Sequence, residues 1–495
     1  MKHVVFFAVF SLACSDTTPL ANHDTMPMVV DMGSDGATTD LSEGTTPSGL
    51  IGLIVNGSTG EPLAGATIQL QTCAECEPME TTSWQDKTNA GSFSFSEQPE
   101  PTNDALAVGL RVSAAGYEER IFYFKPKYQD GIANLGSLRL YPEGSADSDS
   151  DGLMDEEEEA VGLDPQNGDT DKDGIPDGYE VNGYKWVDYQ DLGCDPKMRD
   201  LLVEVDYHHY EEDGVTKSAM FSEALITKAK QFFAALPIDT PLPSGAKTTG
   251  IAIHFVHDTP LPKSHQCYHS ASSVSGDKSD ANPLFKETFH KATICIGAGS
   301  GYRGHSPISG RSLKFFSPNT DQDPENNWQE KAQFLRLAVF THELGHSLGL
   351  THGGNQNLNF KPNYTGLMNY AYDSTYNGKP QTLEGTEVHF SDGTFPSLDE
   401  AALIEVAPFP GYSLEELSFL SYFQSPYIQG KGFPIELCPA GNGEVCVDWN
   451  KDGIYQDESY QLKLTDGTSF VVLADHNDFK AIGKKMARAL VSDPN

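Results

Sequence analysis

Basic residues are scarce in this 495-residue chain: 33 Lys and Arg stand against 71 Asp and Glu, for a net charge of −38. An acidic excess of this size repels phosphate backbones and anionic headgroups, which excludes nucleic acid as a partner. Long apolar runs are missing too. The one run near a membrane-relevant length, Val4 to Ala13, has ten residues, and these cannot cross a hydrocarbon core of about 30 Å. Hydrophobic residues make up 38% of the chain and aromatics 10%, a globular composition. At about 150 residues per domain the length allows about three domains.

The apolar run follows Lys2 and ends in Ser11-Leu12-Ala13-Cys14, which reads as an export signal over residues 1–14. Those last four residues resemble a bacterial lipoprotein processing site. The resemblance implies an exported chain, lipidated on Cys14 and tethered at the outer membrane, with secretion as the alternative. Residues 15–48 are rich in Thr, Asp, Ser, Gly and Pro and bury too little apolar surface to fold, so they read as a disordered tether.

From Gly49 to Pro142 apolar and polar residues alternate between Gly-, Asn- and Pro-containing turns, the pattern of half-buried antiparallel strands. Gly60-Glu61-Pro62-Leu63, Gly65-Ala66, Thr88-Asn89 and Gly116-Tyr117 resemble the carboxypeptidase regulatory-like (transthyretin-like) β-sandwich over residues 49–142. No catalytic spacing occurs there, so a spacer or adhesive role is expected.

Residues 147 to 180 hold fourteen acids and one Lys, a density that demands a cation. Asp147, Asp149, Asp151, Gly152, Leu153, Asp155 and Glu158 fall at positions 1, 3, 5, 6, 7, 9 and 12 of a calcium loop. The pattern recurs as Asp169, Asp171, Asp173, Gly174, Ile175, Asp177 and Glu180. Hard oxygen ligands around a Gly turn suit Ca²⁺, and the tandem resembles thrombospondin type 3-like calcium repeats. Two or more structural calcium ions are expected over residues 143–182, ordering a hinge. A further loop-like start, Asp448 to Gly453 with Asp457 and Glu458, lies in the C-terminal region 437–495.

The stretch Thr341-His342-Glu343-Leu344-Gly345-His346-Ser347-Leu348-Gly349-Leu350-Thr351-His352 carries the chemistry. Two His four apart on a helix share one face and can reach one metal. The periodic Ala332, Leu335, Val339 and Phe340 predict that helix, with Asn327 as cap and Glu330 three residues on. Gly349 permits the turn that returns His352 as a third ligand. Three neutral imidazoles leave a fourth zinc position for water, and Glu343 can take that water's proton.

This pattern resembles the extended zinc-binding motif of the metzincin endopeptidases, and Met368 in Asn363 to Tyr370 matches their Met-turn. The resemblance implies one catalytic zinc on His342, His346 and His352, with Glu343 as general base. It also implies a role for Tyr370 near the developing oxyanion, and protein or peptide substrates. The fold expected over 183–436 is α/β: a twisted mixed sheet with the active-site helix and Met-turn, preceded by the all-β sandwich and the calcium segment. Asp200–Tyr207 and Thr249–His257 read as strands, Phe221–Leu236 as a helix, and Lys291–Ile296 as an edge strand open to an extended peptide. Ser397 to Glu400 reads as a capping box before a helix over Ala401–Val406. The competing reading is a non-enzymatic calcium-binding surface adhesin or scaffold with a structural zinc.

Sequence neighbours among the eight cysteines suggest Cys73–Cys76, Cys267–Cys295 and Cys438–Cys446. Cys194 is left for a disulfide or, as in several metzincins, for a thiolate on the open zinc position that confers latency. Asp475 to Asp478 reads as a solvated loop, and His476 carries no assigned role.

Overall fold

The computed structural model describes residues 49–82, 90–102, 105–262, 288–296 and 328–370, with discontinuous stretches of 304–317 and 390–486. Cys14, residues 15–48, Cys267, Asn327 and residues 450–458 lie outside the described residues, as do the side chains of Glu330, Ala332 and Leu335. Among the described residues the chain is mixed α/β, mostly β, arranged in several sheets. None of their helices is long and apolar enough to cross a membrane.

The alternating N-terminal stretch forms β1 (Gly49–Asn56), β2 (Thr67–Gln71), β3 (Met79–Thr82), β4 (Ser92–Phe95), β5 (Val108–Ser113), β6 (Arg120–Phe124) and β7 (Ile132–Leu140). They make two sheets, ordered β4-β1-β7 and β3-β2-β5-β6. β1 lies antiparallel to β4 and parallel to β7. Because side chains alternate along a strand, Ile68 and Leu70, Leu110 and Val112, and Phe122 and Phe124 share one core. Leu50, Ile54, Phe93 and Phe95 meet them from the other sheet. Each such side chain contributes about 1.5–3 kcal/mol by leaving water.

The acidic segment carries three short helices, α1 (Asp155–Val161), α2 (Asp177–Asn182) and α3 (Tyr189–Leu192). Both loops turn through a left-handed residue at position 4, Ser150 (φ 67°) and Lys172 (φ 65°), followed by Gly152 (φ 98°) and Gly174 (φ 92°) at position 6. The expected hinge is not what the contacts describe. On one side Arg120 of β6 pairs with Glu157 at 2.8 Å, both buried, and donates to the Gly152 carbonyl. On the other, Arg199 donates to the Lys172 carbonyl at 2.8 Å and the Asp200 amide to Asp173 Oδ2 at 2.6 Å. Ile175, Val187, Tyr189 and Cys194 share a core with Leu202 and Phe289. Apolar residues between the acids turn the segment into a wedge held on both sides.

Then follow β8 (Asp200–Glu212), β9 (Val215–Ser218), α4 (Glu223–Ala234), β10 (Asp239–Pro241), β11 (Lys247–Thr249), β12 (Ala252–Leu261), β13 (Phe289–Ile296), β14 (Gly304–His305) and β15 (Ser312–Ser317). Ser222 caps α4 by accepting from the Leu225 amide. The central sheet runs β12-β8-β13-β15-β14, with β9 on β8. The first four strands are mutually parallel and β14 is antiparallel. Residues 291–296, expected at an edge, are therefore interior: Ala292, Thr293, Ile294 and Cys295 are all buried in succession, the signature of a strand covered on both faces. The antiparallel edge belongs to β14.

A 20-residue helix, Trp328–Ser347, crosses this sheet. From it Phe340 meets Phe221 edge-on, centroids 5.3 Å apart, and Phe255 at 5.7 Å. The C-terminal part adds β16 (Leu398–Asp399), β17 (Glu436–Pro439), β18 (Val445–Asp448), β19 (Val472–Leu473) and a C-terminal helix, Asp478–Met486.

The expected helix over 401–406 does not form; Leu398–Asp399 pairs with Val472–Leu473 instead. Glu400 is the reason. Fully buried, it accepts from the amides of Leu464 and Thr465 at 2.8 and 2.9 Å, from the Thr465 hydroxyl and from the Val471 amide. Those tertiary bonds displace the local cap. Removing a buried acceptor strands each donor at about 1–3 kcal/mol, so Glu400→Ala is expected to cost about 3–5 kcal/mol in urea denaturation, whereas an exposed cap would cost about 1 kcal/mol.

Cys73 and Cys76 are bonded. Cys295 and Cys446 are also disulfide-bonded; the register sets Cys446 opposite Cys438, and Cys267 lies outside the described residues. Cys194 is free and buried, so the disulfide alternative for it falls.

Candidate metal centre

The helix places His342 and His346 one turn apart with ring centroids 4.8 Å from each other. At its end Gly349 takes φ 92°, and the chain reverses to bring His352 within 4.6 Å of His346, centroid to centroid. One nitrogen from each of the three rings lies within 4.8 Å of the others, with His346 Nε2 and His352 Nε2 3.0 Å apart. His342 Nδ1 bonds the Leu367 carbonyl at 2.9 Å and His346 Nδ1 the Leu350 carbonyl at 2.8 Å. A carbonyl can only accept, so both rings carry their proton on Nδ1 and turn an Nε2 lone pair inward. Burial holds both outer rings neutral, pushing His342 down to about 4 and His352 to about 2. Three converging imidazole donors fit a zinc ion.

Glu343 is buried beside the first of these rings. The backbone of β14 lies directly over it: a Cβ built on Gly304 would come 2.1 Å from Glu343 Oε1. Only glycine allows that approach. Below, Met368 is fully buried, and its Sδ would meet a Cβ at Gly345 at 2.5 Å; the helix rests on this thioether. The Tyr370 ring lies 3.9 Å from that of His352 and stacks at 5.9 Å on His342. The sequence-derived group His342, Glu343, His346, His352, Met368 and Tyr370 is thus gathered in one place. Cys194 is not part of it: its thiol groups with Asp200 and His254, and burial raises its pKa well above the ordinary value. A latency thiolate on the three histidines has no support in this placement.

The carboxylates of the two loops, with Asp200 of β8, form three groups: Asp147, Asp149 and Asp151; Asp151, Glu158 and Asp177; and Asp171, Asp173, Glu180 and Asp200. Both position-9 residues also accept from the second residue of their own loop, Asp155 from the Ser148 amide at 2.8 Å and Asp177 Oδ1 from the Thr170 amide at 2.9 Å; Asp155 joins none of the three groups, whereas Asp177 stays in the second. Asp169 accepts from the Asp173 and Gly174 amides. Leu153 and Ile175, at position 7, are buried with their amides on Asp151 and Asp173.

No family model and no curated protein matches the chain. Among solved structures, a putative membrane-associated protein from Bacteroides fragilis NCTC 9343 is 18% identical, with a TM-score of 0.14, over 20% of this chain and 28% of that one. The group B streptococcus pilus 2b backbone protein is 15% identical, with a TM-score of 0.14, over 20% of this chain and 43% of that one. Metalloproteinase-II from Bacteroides fragilis is 11% identical, with a TM-score of 0.20, over 64% of this chain and 78% of that one. These likenesses are too slight to bear on fold or activity.

Several residues that hold the site escaped the sequence reading. Asp475 to Asp478 is no solvated loop: Asp478 is fully buried and accepts from Tyr364, from His476 Nδ1 and from the Ser391 amide, each at 2.9–3.0 Å. Asp475 accepts from the Ser391 hydroxyl at 2.7 Å and the Phe395 amide at 2.9 Å. Lys361, also fully buried, donates to the Gly353 carbonyl at 2.9 Å; burial lowers it to about 8 against the pull of Asp475 and Asp478. Asn363 donates to the Pro396 and Leu473 carbonyls, and Asn369 to those of Lys361 and Tyr364. These bonds fix the turn that carries Met368 and the irregular segment leaving His352. Their partners lie up to 114 residues away in sequence, and no local pattern announces them.

Proposed function

We propose that this chain is an exported zinc-dependent endopeptidase of metzincin type, hydrolysing peptide bonds in protein substrates. The reading rests on one observation above all: three imidazoles converge, those of His342 and His346 with their outer nitrogens already bonded, and a buried carboxylate follows the first of them. Zinc held by His342, His346 and His352 would supply Lewis-acid polarisation of a carbonyl and acidification of a water. Glu343 takes the proton from that water as it attacks the scissile carbon, then delivers it to the leaving amine. Its burial under Gly304 keeps bulk water from competing for the carboxylate. Tyr370, stacked on the metal-binding rings, donates its phenolic hydrogen to the developing oxyanion.

Lipidation of Cys14 would tether the enzyme to a membrane, with residues 15–48 as spacer. Calcium on the acidic loops would serve structure. Elemental analysis combined with casein cleavage tests the core of this reading. One zinc per chain, with cleavage that chelation abolishes and zinc restores, is the expected result. Zinc without cleavage would favour the calcium-binding scaffold, and absence of zinc would overturn the site. Loss of one oxyanion donor is worth about 10²-fold or more in kcat, so Tyr370→Phe is expected to lower kcat by about that factor with KM little changed. An unaltered kcat would make Tyr370 a packing residue.

A further inference from the structure

Asp200 opens β8 of the central sheet and belongs to no calcium loop in sequence, yet its carboxylate meets those of Asp171, Asp173 and Glu180. One oxygen from each of the four lies within 4.8 Å of the others, and all four residues are buried. No amide, hydroxyl or basic group donates to either oxygen of Glu180, whose carboxyl meets that of Asp200, or to Asp171 Oδ2, although Glu180 is 1% and Asp171 0% exposed. Four buried carboxylates without a cation repel one another strongly. The basic groups nearby do not cap the oxygens of Glu180 or Oδ2 of Asp171. Arg199 directs its N–H groups to Thr240 Oγ1 and to the carbonyls of Lys172 and Gly483. His254 is bonded to the Oδ1 of Asp200, and the Asp195 amide donates to Oδ2. Each carboxylate oxygen keeps a second lone pair for a further partner.

We propose that Asp200 is a ligand of the second loop's calcium ion, so that one cation joins the acidic segment to the first strand of the central sheet. The oxygen set is all hard. A position-12 glutamate with no such donor on either oxygen suits bidentate coordination, and the Ile175 carbonyl stands at the position that supplies a backbone ligand in such loops. That count reaches the six to eight oxygens calcium takes and exceeds what an octahedral magnesium keeps from protein alone. The Asp200 amide already donates to Asp173 Oδ2 at 2.6 Å, so strand and loop are in register before any ion arrives. Calcium would then fix the point where β8 enters the sheet, independently of whether the three histidines hold zinc.

Isothermal titration of the full chain with calcium tests this, comparing the wild type with Asp200→Asn and with Asp149→Asn, which alters only the first loop. Loss of one charged ligand is expected to weaken one class of site by about 10- to 100-fold and leave the other unchanged, with the two variants affecting different classes. Equal calcium affinity and stoichiometry in Asp200→Asn and wild type would overturn the proposal. Should Asp200→Asn not fold, wild-type crystals soaked in calcium decide. An ion at about 2.3–2.6 Å from an Asp200 oxygen is expected; an ion in the second loop beyond reach of Asp200, or one bound by the Cys194 thiolate, would overturn it.

Discussion

Glu343→Gln is expected to keep one zinc per chain while lowering kcat/KM on an unstructured protein by about 10³-fold. Glutamine matches the shape of the carboxylate under β14 but cannot accept a proton from water. The three imidazoles are oriented by Leu367, Leu350 and the turn at Gly349 rather than by Glu343, so metal content should not change. Zinc content and turnover therefore separate cleanly in this variant. Cleavage at the wild-type rate with zinc in place would refute the assigned base. Gly304→Val sharpens the argument from the opposite side: its side chain must enter space held by Glu343, so activity falls although no catalytic residue has changed.

The second large effect concerns calcium. An ion present at about 1,000 times its dissociation constant adds about 4 kcal/mol to folding stability. Two such ions, as proposed for the acidic loops, would correspond to a loss of about 15 °C in Tm on chelation with a calcium-selective agent. The pH dependence has a defined sign. Burial and neighbouring carboxylates raise Asp151 and Asp177 to about 7 and Glu158 to about 8, and raise Asp171, Asp173 and Glu180 well beyond the carboxylate range. In the unfolded chain these groups ionise near about 4. From about pH 7 to 8.5 the unfolded chain thus binds fewer protons than the folded one, and stability must fall as pH rises. Urea denaturation of the chelated protein should give a lower midpoint at pH 8.5 than at pH 7, and saturating calcium should flatten the difference. A chelated protein more stable at the higher pH would contradict the burial of these acids.

What the sequence announced and what it concealed divide along the range of the interactions. His342, His346 and His352 were legible because a helix and one glycine turn fix them within eleven residues. The acidic loops were legible because each turn is closed by its own backbone, with Asp147 and Asp169 accepting from the glycine five residues on. Lys291–Ile296 was misplaced because alternation does not distinguish an edge from a strand that gains a second neighbour in β15. Ala401–Val406 was misread because Glu400 answers to amides more than sixty residues away rather than to its own turn. Cys194 and Asp200 could be understood only once β12, β8 and the second acidic loop had been brought together.

The pairing of β1 also governs how the molecule bears load. Tension applied through the residues preceding Gly49 enters at the first residue of β1, and it leaves toward the rest of the chain at the far end of β7, after Leu140. The two strands are parallel, from Gly49 opposite Ile132 to Asn56 opposite Leu140. A pull between those ends slides one strand along the other, so the rungs of the ladder are strained together instead of opening one at a time. An antiparallel pair loaded at adjacent ends would unzip. The N-terminal sheet is therefore built as a shear joint, suited to holding its shape under tension along the chain.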